Sequence, residues 1–395
     1  MPVSELKPSS SFDSFKRSRF ACFVDTLLVD FHPMYFVITM GTGITSAVMY
    51  RFPIESVRVG MKYVGIVYFF IDLIAFFVVH VLFVLRYFVL PNRYDGTSFA
   101  GLLKDHRLNV FLGAQVMGFG SLINMIYYLK PEWTIFVYSL WWIQVGLTLL
   151  CAWGLTYVMF ALNEIPASDL NATILLPAVT LTVAASTGCI VSQQLSSYRW
   201  KLSSEIVTFM LFGNAIMLAL PLIAVYFYKL FTSGLPPKQS VYSCFIPIGV
   251  LGQGSFALLL NFQSLAQLVQ ADSSLVALTN GLDSQVLLTI ATALQLCSVY
   301  VALLLISMGV CISVVAALCV LQYGWIHSWS KALWASTFPL GTMAVSQALV
   351  YELTGWIGFK ITASVYSFAL IAVTTYCLIN TCIHEIAWHK MAQSV

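Results

Sequence analysis

The chain has 395 residues, of which 59% are hydrophobic and only 9% are charged, and its formal net charge is +3 at pH 7. This composition excludes an ordinary soluble protein, and the small basic excess, dispersed over short loops, gives no support to nucleic-acid binding. Apolar runs longer than the roughly 20 residues that cross a bilayer recur along the chain, so we expect one membrane domain.

The predicted elements are all helical. Residues 1–30 are polar, Ser-rich and basic, and we expect a cytosolic N-terminal tail there. A ten-helix transporter domain is predicted over 31–388, followed by a short cytosolic C-terminal tail at 389–395. The ten apolar segments lie at 33–52, 61–89, 106–129, 133–162, 170–195, 202–230, 242–268, 284–322, 332–354 and 357–388.

The segments alternate in character along the chain. The odd-numbered segments hold ten glycines and four prolines over 120 residues, whereas the even-numbered ones hold six glycines and one proline over 159. Glycine and proline are tolerated in membrane helices where neighbouring helices or a water-filled cavity provide hydrogen bonds for the backbone groups that they leave unpaired. The alternation therefore favours five inner helices around a pore with five bulkier outer helices, although close helix contact alone would also explain part of it.

The distribution of basic residues predicts the topology. An even number of spans puts both termini on one side, where we count twelve Lys and Arg residues against seven in the opposite loops. This bias favours cytosolic termini. Asn171, in an Asn-Ala-Thr acceptor pattern, would then face the cytosol and stay unglycosylated.

We predict neither a metal nor a cofactor. The nine cysteines are scattered through apolar runs without ligand-like spacing. His384, Glu385 and His389 resemble a zinc-protease motif. The two histidines are five residues apart, however, whereas two metal ligands on one helix must be four apart. An intramembrane haem protein would need facing axial histidines, and only His80 lies well within a span.

A candidate gate lies in the ninth segment, where Phe338 precedes Pro339. Pro339 cannot donate a backbone hydrogen bond to Ala335, so we expect the helix to be loosened beside Phe338. The alternative for Phe338, and the commoner role for a phenylalanine in so apolar a chain, is that of a packing aromatic. As a gate, its ring would block the pore by sterics and dewetting.

Several strings, in order and at compatible spacing between about residues 30 and 355, resemble the tellurite-resistance/dicarboxylate transporter family, which has the plant slow anion channel-like fold. Within that family the sequence is most similar to the fungal sulfite efflux pumps. The strings are Phe31-His32-Pro33, Met40-Gly41-Thr42-Gly43-Ile44, Phe111-Leu112-Gly113, Ile123-Asn124-Met125, Leu235-Pro236-Pro237, Pro247 with Gly249 and Leu251-Gly252-Gln253-Gly254, and Thr337-Phe338-Pro339-Leu340-Gly341.

This resemblance implies ten transmembrane helices arranged as five helical hairpins with quasi-fivefold symmetry around a central pore. Helices 1, 3, 5, 7 and 9 would line a narrow anion path, and the phenylalanine that plugs it in the family matches Phe338. It further implies a homotrimer with one pore in each protomer.

Polar groups of the odd segments are candidates for the substrate path, since hydroxyl and amide donors can bind an oxyanion without a full opposing charge. The alternative for the threonines is a hydrogen bond to their own helix, and for the glycines close helix contact. The candidates are Thr39, Thr42, Gln115, Thr180, Gly252, Gln253, Gly254 and Thr337.

Two further groups carry charge or can gain it. His32, His106 and Arg107 lie near the predicted cytosolic ends of spans one and three, where they could gather anions or contact lipid headgroups. Asp72, inside the second span, is a candidate for proton coupling or a protonated structural carboxyl.

The function that the resemblance implies is plasma-membrane efflux of a small oxyanion, sulfite or hydrogensulfite, by a protein that is not an enzyme. A malate or other C4-dicarboxylate transporter of the same family is the alternative. A larger dianion would need a wider path and more basic residues than the odd segments show.

Overall fold

A computed structural model describes residues 27–29, 31–91, 97–162, 165–166, 170–271, 281–324 and 329–384. The regular secondary structure of these residues is entirely helical. Apart from 27–29, the two predicted tails lie outside the described residues, so their positions stay predictions.

Ten long helical segments occur in the described part of the chain. Eight of them are long and apolar enough to cross a membrane, which confirms an all-α integral membrane fold; α1 and α9 are not among those eight. Their bounds are α1 33–50, α2 Glu55–Val89, α3 His106–Leu129, α4 Thr134–Ala161, α5 Ala172–Ser192, α6 Tyr198–Ser233, α7 Val241–Ala271, α8 Ser284–Gln322, α9 331–354 and α10 Ile357–His384.

The bounds depart most from the prediction where a helix begins with charged residues. α2 starts at Glu55 rather than 61, and its first turn holds Glu55 and Arg58, whose charged atoms are 3.9 Å apart. Such a turn adds no hydrophobicity, so the apolar run in the sequence begins later than the helix does.

Burial divides the helices into an inner and an outer set. In the most apolar stretch of α3, α5 and α7, between 67% and 100% of the residues are buried within the protein, against 22% to 39% in α2, α4, α6, α8 and α10. Most residues of α1 and α9 are also buried. The alternation of glycine and proline in the sequence therefore does mark the inner helices.

The inner helices form a closed ring. Each contacts the next inner helix along the chain, and α9 returns to contact α1. Each also packs against the outer helix that follows it, which gives five hairpins. All five inner helices consequently begin at one end of the ring and finish at the other. Quasi-fivefold symmetry stays a prediction.

Prolines lie where four inner helices begin. α1, α5, α7 and α9 each open with a 3-10 turn that continues into an α-helix, and Pro33, Pro177, Pro247 and Pro339 fall in the 3-10 turn or within the first three α-helical residues. The first backbone N–H groups of an α-helix have no α-helical partner four residues earlier, so proline costs less there than in a helix interior. Pro339 thus marks the junction of the 3-10 and α-helical parts of α9.

Candidate functional site

Two cavities lie end to end inside the ring of inner helices. The N-terminal cavity is bounded by the first halves of these helices, and the C-terminal cavity by their later parts. Residues from all five inner helices line each of them, and Phe338 is the single residue common to the two linings. The lining of the N-terminal cavity consists of Met34, Val37, Met40, Phe111, Thr173, Leu176, Val179, Ser243, Ile246, Gly249, Ala332, Ala335, Phe338 and Pro339.

The C-terminal cavity has a more polar wall. Its lining includes Ser121, Asn124 and Gln253, and near its mouth Arg51 and Glu352. No charged residue lines the N-terminal cavity among the described residues. An ion moving along the ring would therefore leave an apolar chamber, pass Phe338 and enter a polar one.

The ring of Phe338 lies between the two chambers and packs against α7. Phe338 is 3% exposed, and a first side-chain carbon added at Gly249 would contact its ring at 3.6 Å. Pro339 borders the N-terminal cavity beside it. A bulky, apolar ring between two chambers can stop an ion by sterics and dewetting.

The predicted path threonines are fully buried, and most bond to their own helices. Thr39, Thr180 and Thr337 donate to the carbonyls of Phe36, Pro177 and Trp334, three residues earlier, at 2.6–2.9 Å. The Thr42 hydroxyl has no hydrogen-bond partner among the described residues. None of these threonines lines either cavity.

The glycines among the path candidates lie at helix contacts. A carbon added at Gly252 would come within 2.9 Å of the backbone nitrogen of Met343 in α9, and one at Gly254 would meet Ile216 of α6 at 3.1 Å. Gly252 therefore allows α7 and α9 to approach closely.

The side chains of Gln115 and Gln253, the two glutamines among the path candidates, point in different directions. Gln115 contacts His80 of α2, with 2.9 Å between its Nε2 and the ring Nε2, so its amide lies toward an outer helix. Gln253 lines the C-terminal cavity and donates from Nε2 to the Ser186 hydroxyl at 2.6 Å. Its Oε1 is buried without a partner among the described residues. Of the predicted path residues, Gln253 is the one that borders a cavity.

The predicted anion-entry residues lie at the N-terminal end of the ring. His32 Nδ1 accepts a hydrogen bond from the Met34 N–H at 3.0 Å, and its ring is 5.5 Å from that of Phe111 in the cavity wall. Burial, assisted by the positive charge of Lys331, lowers the pKa of His32, while Asp105 opposes the change. Burial therefore favours the uncharged form of His32.

The other two entry candidates begin α3. Asp105 caps this helix, with its Oδ1 accepting the Arg107 N–H at 2.9 Å. Arg107 is exposed and His106 half-buried, and neither lines a cavity. Arg107 and Lys331 are two of the fixed positive charges at this end of the ring.

Asp72 reaches the inner ring from α2. Its side chain is fully buried, and neither carboxyl oxygen has a hydrogen-bond partner in the described part of the chain. A carbon added at Gly43 of α1 would lie 2.8 Å from Asp72 Oδ2 and 2.6 Å from Ser121 Cβ. The missing side chain of Gly43 thus leaves space for the carboxyl group beside Ser121, a residue of the C-terminal cavity.

Two features escaped the sequence analysis. Glu205, near the start of α6, is 3% exposed and accepts hydrogen bonds from Ser192 at 2.9 Å and Asn261 at 3.0 Å. Polar residues within the apolar runs of α5 and α7 were the available signal. The second feature is the ion pair of Arg51 and Glu352. In the sequence analysis, Arg51 was used only in the count of basic residues and Glu352 was not considered.

Comparison with known proteins agrees with this architecture. The model of the SLAC1 family, described as voltage-dependent anion channel, matches residues 30–382. A sulfite efflux pump of Candida albicans is 28% identical over 390 residues, covering 92% of this chain and 76% of the relative.

More distant relatives cover similar shares. A sulfite efflux pump of Saccharomyces cerevisiae is 24% identical, covering 92% of this chain and 89% of its own. An uncharacterised transporter of Methanocaldococcus jannaschii is 22% identical, covering 84% and 88%. The resemblance drawn from the sequence is thereby confirmed: this multi-pass membrane chain belongs to the SLAC1 family of anion channels and transporters.

Proposed function

We propose that the protein exports a small oxyanion, sulfite or hydrogensulfite, across the plasma membrane through the ring of inner helices. The observation that carries this proposal is the position of Phe338, which alone borders both cavities. The relatives named sulfite efflux pumps support the choice of ion.

The chamber walls also favour a small ion. The N-terminal cavity is mostly apolar and has no charged lining residue in the described part of the chain, so it offers nothing to pair with a second carboxylate of a dicarboxylate. Weak binding suits passage, because a buried unpaired cation would hold an anion tightly.

The proposed topology determines which side of the membrane each cavity faces. With both termini in the cytosol, the N-terminal cavity opens toward the cytosol and the C-terminal cavity toward the exterior. The first turns of the inner helices, where their dipoles are positive, would then face the incoming anion. Three such protomers would form the homotrimer that the family resemblance implies.

Proton coupling would involve Asp72. Its carboxyl group lies next to Ser121 of the C-terminal cavity, so a proton could pass between that chamber and Asp72. This assignment supplements the efflux function, which does not depend on it.

Flux measurements on the purified protein in liposomes test the function. Sulfite flux and malate flux are compared, each with and without a pH gradient, against protein-free liposomes. Sulfite flux without malate flux is the expected result. Malate flux without sulfite flux would overturn the proposed substrate and leave the fold unaffected.

A further inference from the structure

The mouth of the C-terminal cavity carries an ion pair. Arg51 follows the last residue of α1, and Glu352 lies near the end of α9, the inner helix next to α1 in the ring. Arg51 Nη2 is 3.1 Å from Glu352 Oε2 and 3.4 Å from Oε1. Arg51 and Glu352 are the one basic and the one acidic residue of this cavity wall in the described part of the chain.

Arg51 is oriented by an aromatic neighbour. Its guanidinium carbon lies 5.9 Å from the centre of the Tyr128 ring, which stacks on Tyr50 with 5.6 Å between ring centres and 7° between ring planes. The Tyr50 hydroxyl donates to the Tyr128 carbonyl at 3.0 Å. The guanidinium therefore lies over a tyrosine ring whose position at the mouth is fixed by Tyr50.

The guanidinium is accessible and only partly used by Glu352. The side chains of Arg51 and Glu352 are 43% and 44% exposed, so water and ions reach both. Glu352 binds one of the three guanidinium nitrogens. Guanidinium has five N–H donors in a planar fork that matches an oxyanion, so a second acceptor can approach another edge.

Asn124 offers a further polar group. It lies one helical turn before Tyr128 on α3 and lines the same cavity. Its Oδ1 is buried and makes no hydrogen bond among the described residues. An amide oxygen only accepts hydrogen bonds, so this atom can accept from the O–H of hydrogensulfite but does not attract the oxygens of an anion.

We propose that Arg51 is an exit site for the transported anion, and that Glu352 releases the anion by competing for the same guanidinium. This inference rests on the proposed anion transport. A free arginine at the mouth would hold an oxyanion and slow its departure, whereas a neighbouring carboxylate keeps binding weak. The pair thus sets how readily the anion leaves.

A second ion pair at the same end of the ring serves as a matched control. Lys360 Nζ is 2.5 Å from Glu55 Oε2, and neither residue lines a cavity. Substituting Lys360 or Glu55 changes the charge of this face as Arg51 or Glu352 would, but outside the cavity wall.

The test records anion currents in membrane patches, which fix the side of each solution. All variants are made in the Phe338→Ala background so that the gate does not limit flux, and sulfite is varied on the side of the C-terminal mouth. Arg51→Gln should raise the half-saturating sulfite concentration by about tenfold, as expected for loss of a charge-assisted hydrogen bond. Glu352→Gln should lower that concentration and the maximal current together.

The control variants should change the half-saturating sulfite concentration little. Lys360→Gln and Glu55→Gln should leave the half-saturating concentration within about twofold of the background, because screened surface charges act weakly over such distances. Arg51→Lys keeps the charge and loses the fork, so its value should fall between that of the background and that of Arg51→Gln. Equal effects of Arg51→Gln and Lys360→Gln, or weaker sulfite binding in Glu352→Gln, would overturn the exit site.

The two proposals can fail separately. If nitrate carries current but sulfite does not, the sulfite assignment fails and the same variants are compared with nitrate. If no anion passes through Phe338→Ala, both proposals are wrong. Labelling of each variant at the cell surface verifies that it reaches the membrane.

Discussion

At the scale of single residues, Phe338 has a position that no other lining residue shares. Its ring is buried between two chambers and lies against Gly249 of α7. The sequence predicted this residue through its proline neighbour and the family resemblance. Composition could not, because the chain has 28 phenylalanines and most aromatic residues in a membrane protein only pack.

Replacing Phe338 by alanine should raise anion leak several-fold, because the small side chain joins the two cavities. The measurement is passive sulfite flux into liposomes containing the variant. Phe256→Ala is the matched control, since Phe256 lines the C-terminal cavity alone. Equal leak through both variants, or unchanged flux in Phe338→Ala, would remove the gating role.

Asp72→Asn should flatten the pH dependence of sulfite flux, because an amide cannot exchange a proton with the cavity beside Ser121. The comparison is Glu205→Gln, which also neutralises a buried carboxyl group but one held by Ser192 and Asn261 away from both cavities. If Glu205→Gln flattens the profile and Asp72→Asn does not, Asp72 has a structural role. A flat profile in the unmutated protein would exclude proton coupling.

Other residue positions could not be read from sequence. Thr39, Thr180 and Thr337 have the right chemistry for an anion path, but each hydroxyl donates to the carbonyl three residues earlier in its own helix. Arg51 and Glu352 are 301 residues apart and meet only because the ring closes between α9 and α1. Contacts of this kind depend on tertiary packing, for which local patterns give no signal.

At the scale of helices, glycine sets the distance between neighbours in the ring. Gly41 faces Thr337 of α9, Gly118 faces Thr39 of α1, and Gly252 faces Thr342 of α9. In each case an added carbon would lie less than 3.0 Å from the facing hydroxyl oxygen. The excess of glycine in the odd segments, visible in the sequence, thus reflects close helix contact around the pore.

Gly252→Ala should therefore lower stability by about 1–3 kcal/mol, the usual cost of overpacking, because the backbone of α9 cannot move aside easily. Thermal unfolding of the detergent-purified protein measures the change. Gly213→Ala is the control, since Gly213 lies within α6 and has nothing within 4 Å of an added carbon. It should unfold at the same temperature as the parent or higher. A destabilised Gly213→Ala with a normal Gly252→Ala would contradict the assigned contact.

The helix bounds show where sequence patterns are informative. The ten apolar segments and their alternation were predicted because hydrophobic runs and glycine content are local properties. The starts of α2 and α6 were placed too late, since their first turns are polar and extend beyond the apolar run. The 3-10 turns at the starts of α1, α5, α7 and α9 were also missed, because the prolines there were interpreted as interruptions within helices.

At the scale of the whole molecule, the loops that join the helices lie at two opposite ends of the ring. The loop between α5 and α6 lies at the C-terminal end, and the loop between α6 and α7 lies at the N-terminal end. Ser196 and Gln239 are exposed representatives of the two loops. With cytosolic termini, the first faces the exterior and the second the cytosol.

A membrane-impermeant maleimide should thus label Ser196→Cys in intact cells and leave Gln239→Cys at the level of the parent protein. After the cells are permeabilised, both variants should react. Labelling of Gln239→Cys alone in intact cells would reverse the proposed topology. A mass shift on deglycosylation at Asn171 would conflict with it independently.

The length and composition of α1 and α9 bear on how the protein is made. These two helices line both cavities, and α9 carries Phe338, yet neither is among the eight segments that are long and apolar enough to span a membrane by themselves. Each is joined by a short loop to a strongly apolar partner, α2 or α10. Lipid accepts a polar helix more readily when a neighbour covers its hydrogen-bonding groups. The two helices of each hairpin should consequently insert into the bilayer together, so that the apolar outer helix shields the polar groups of the inner helix from lipid.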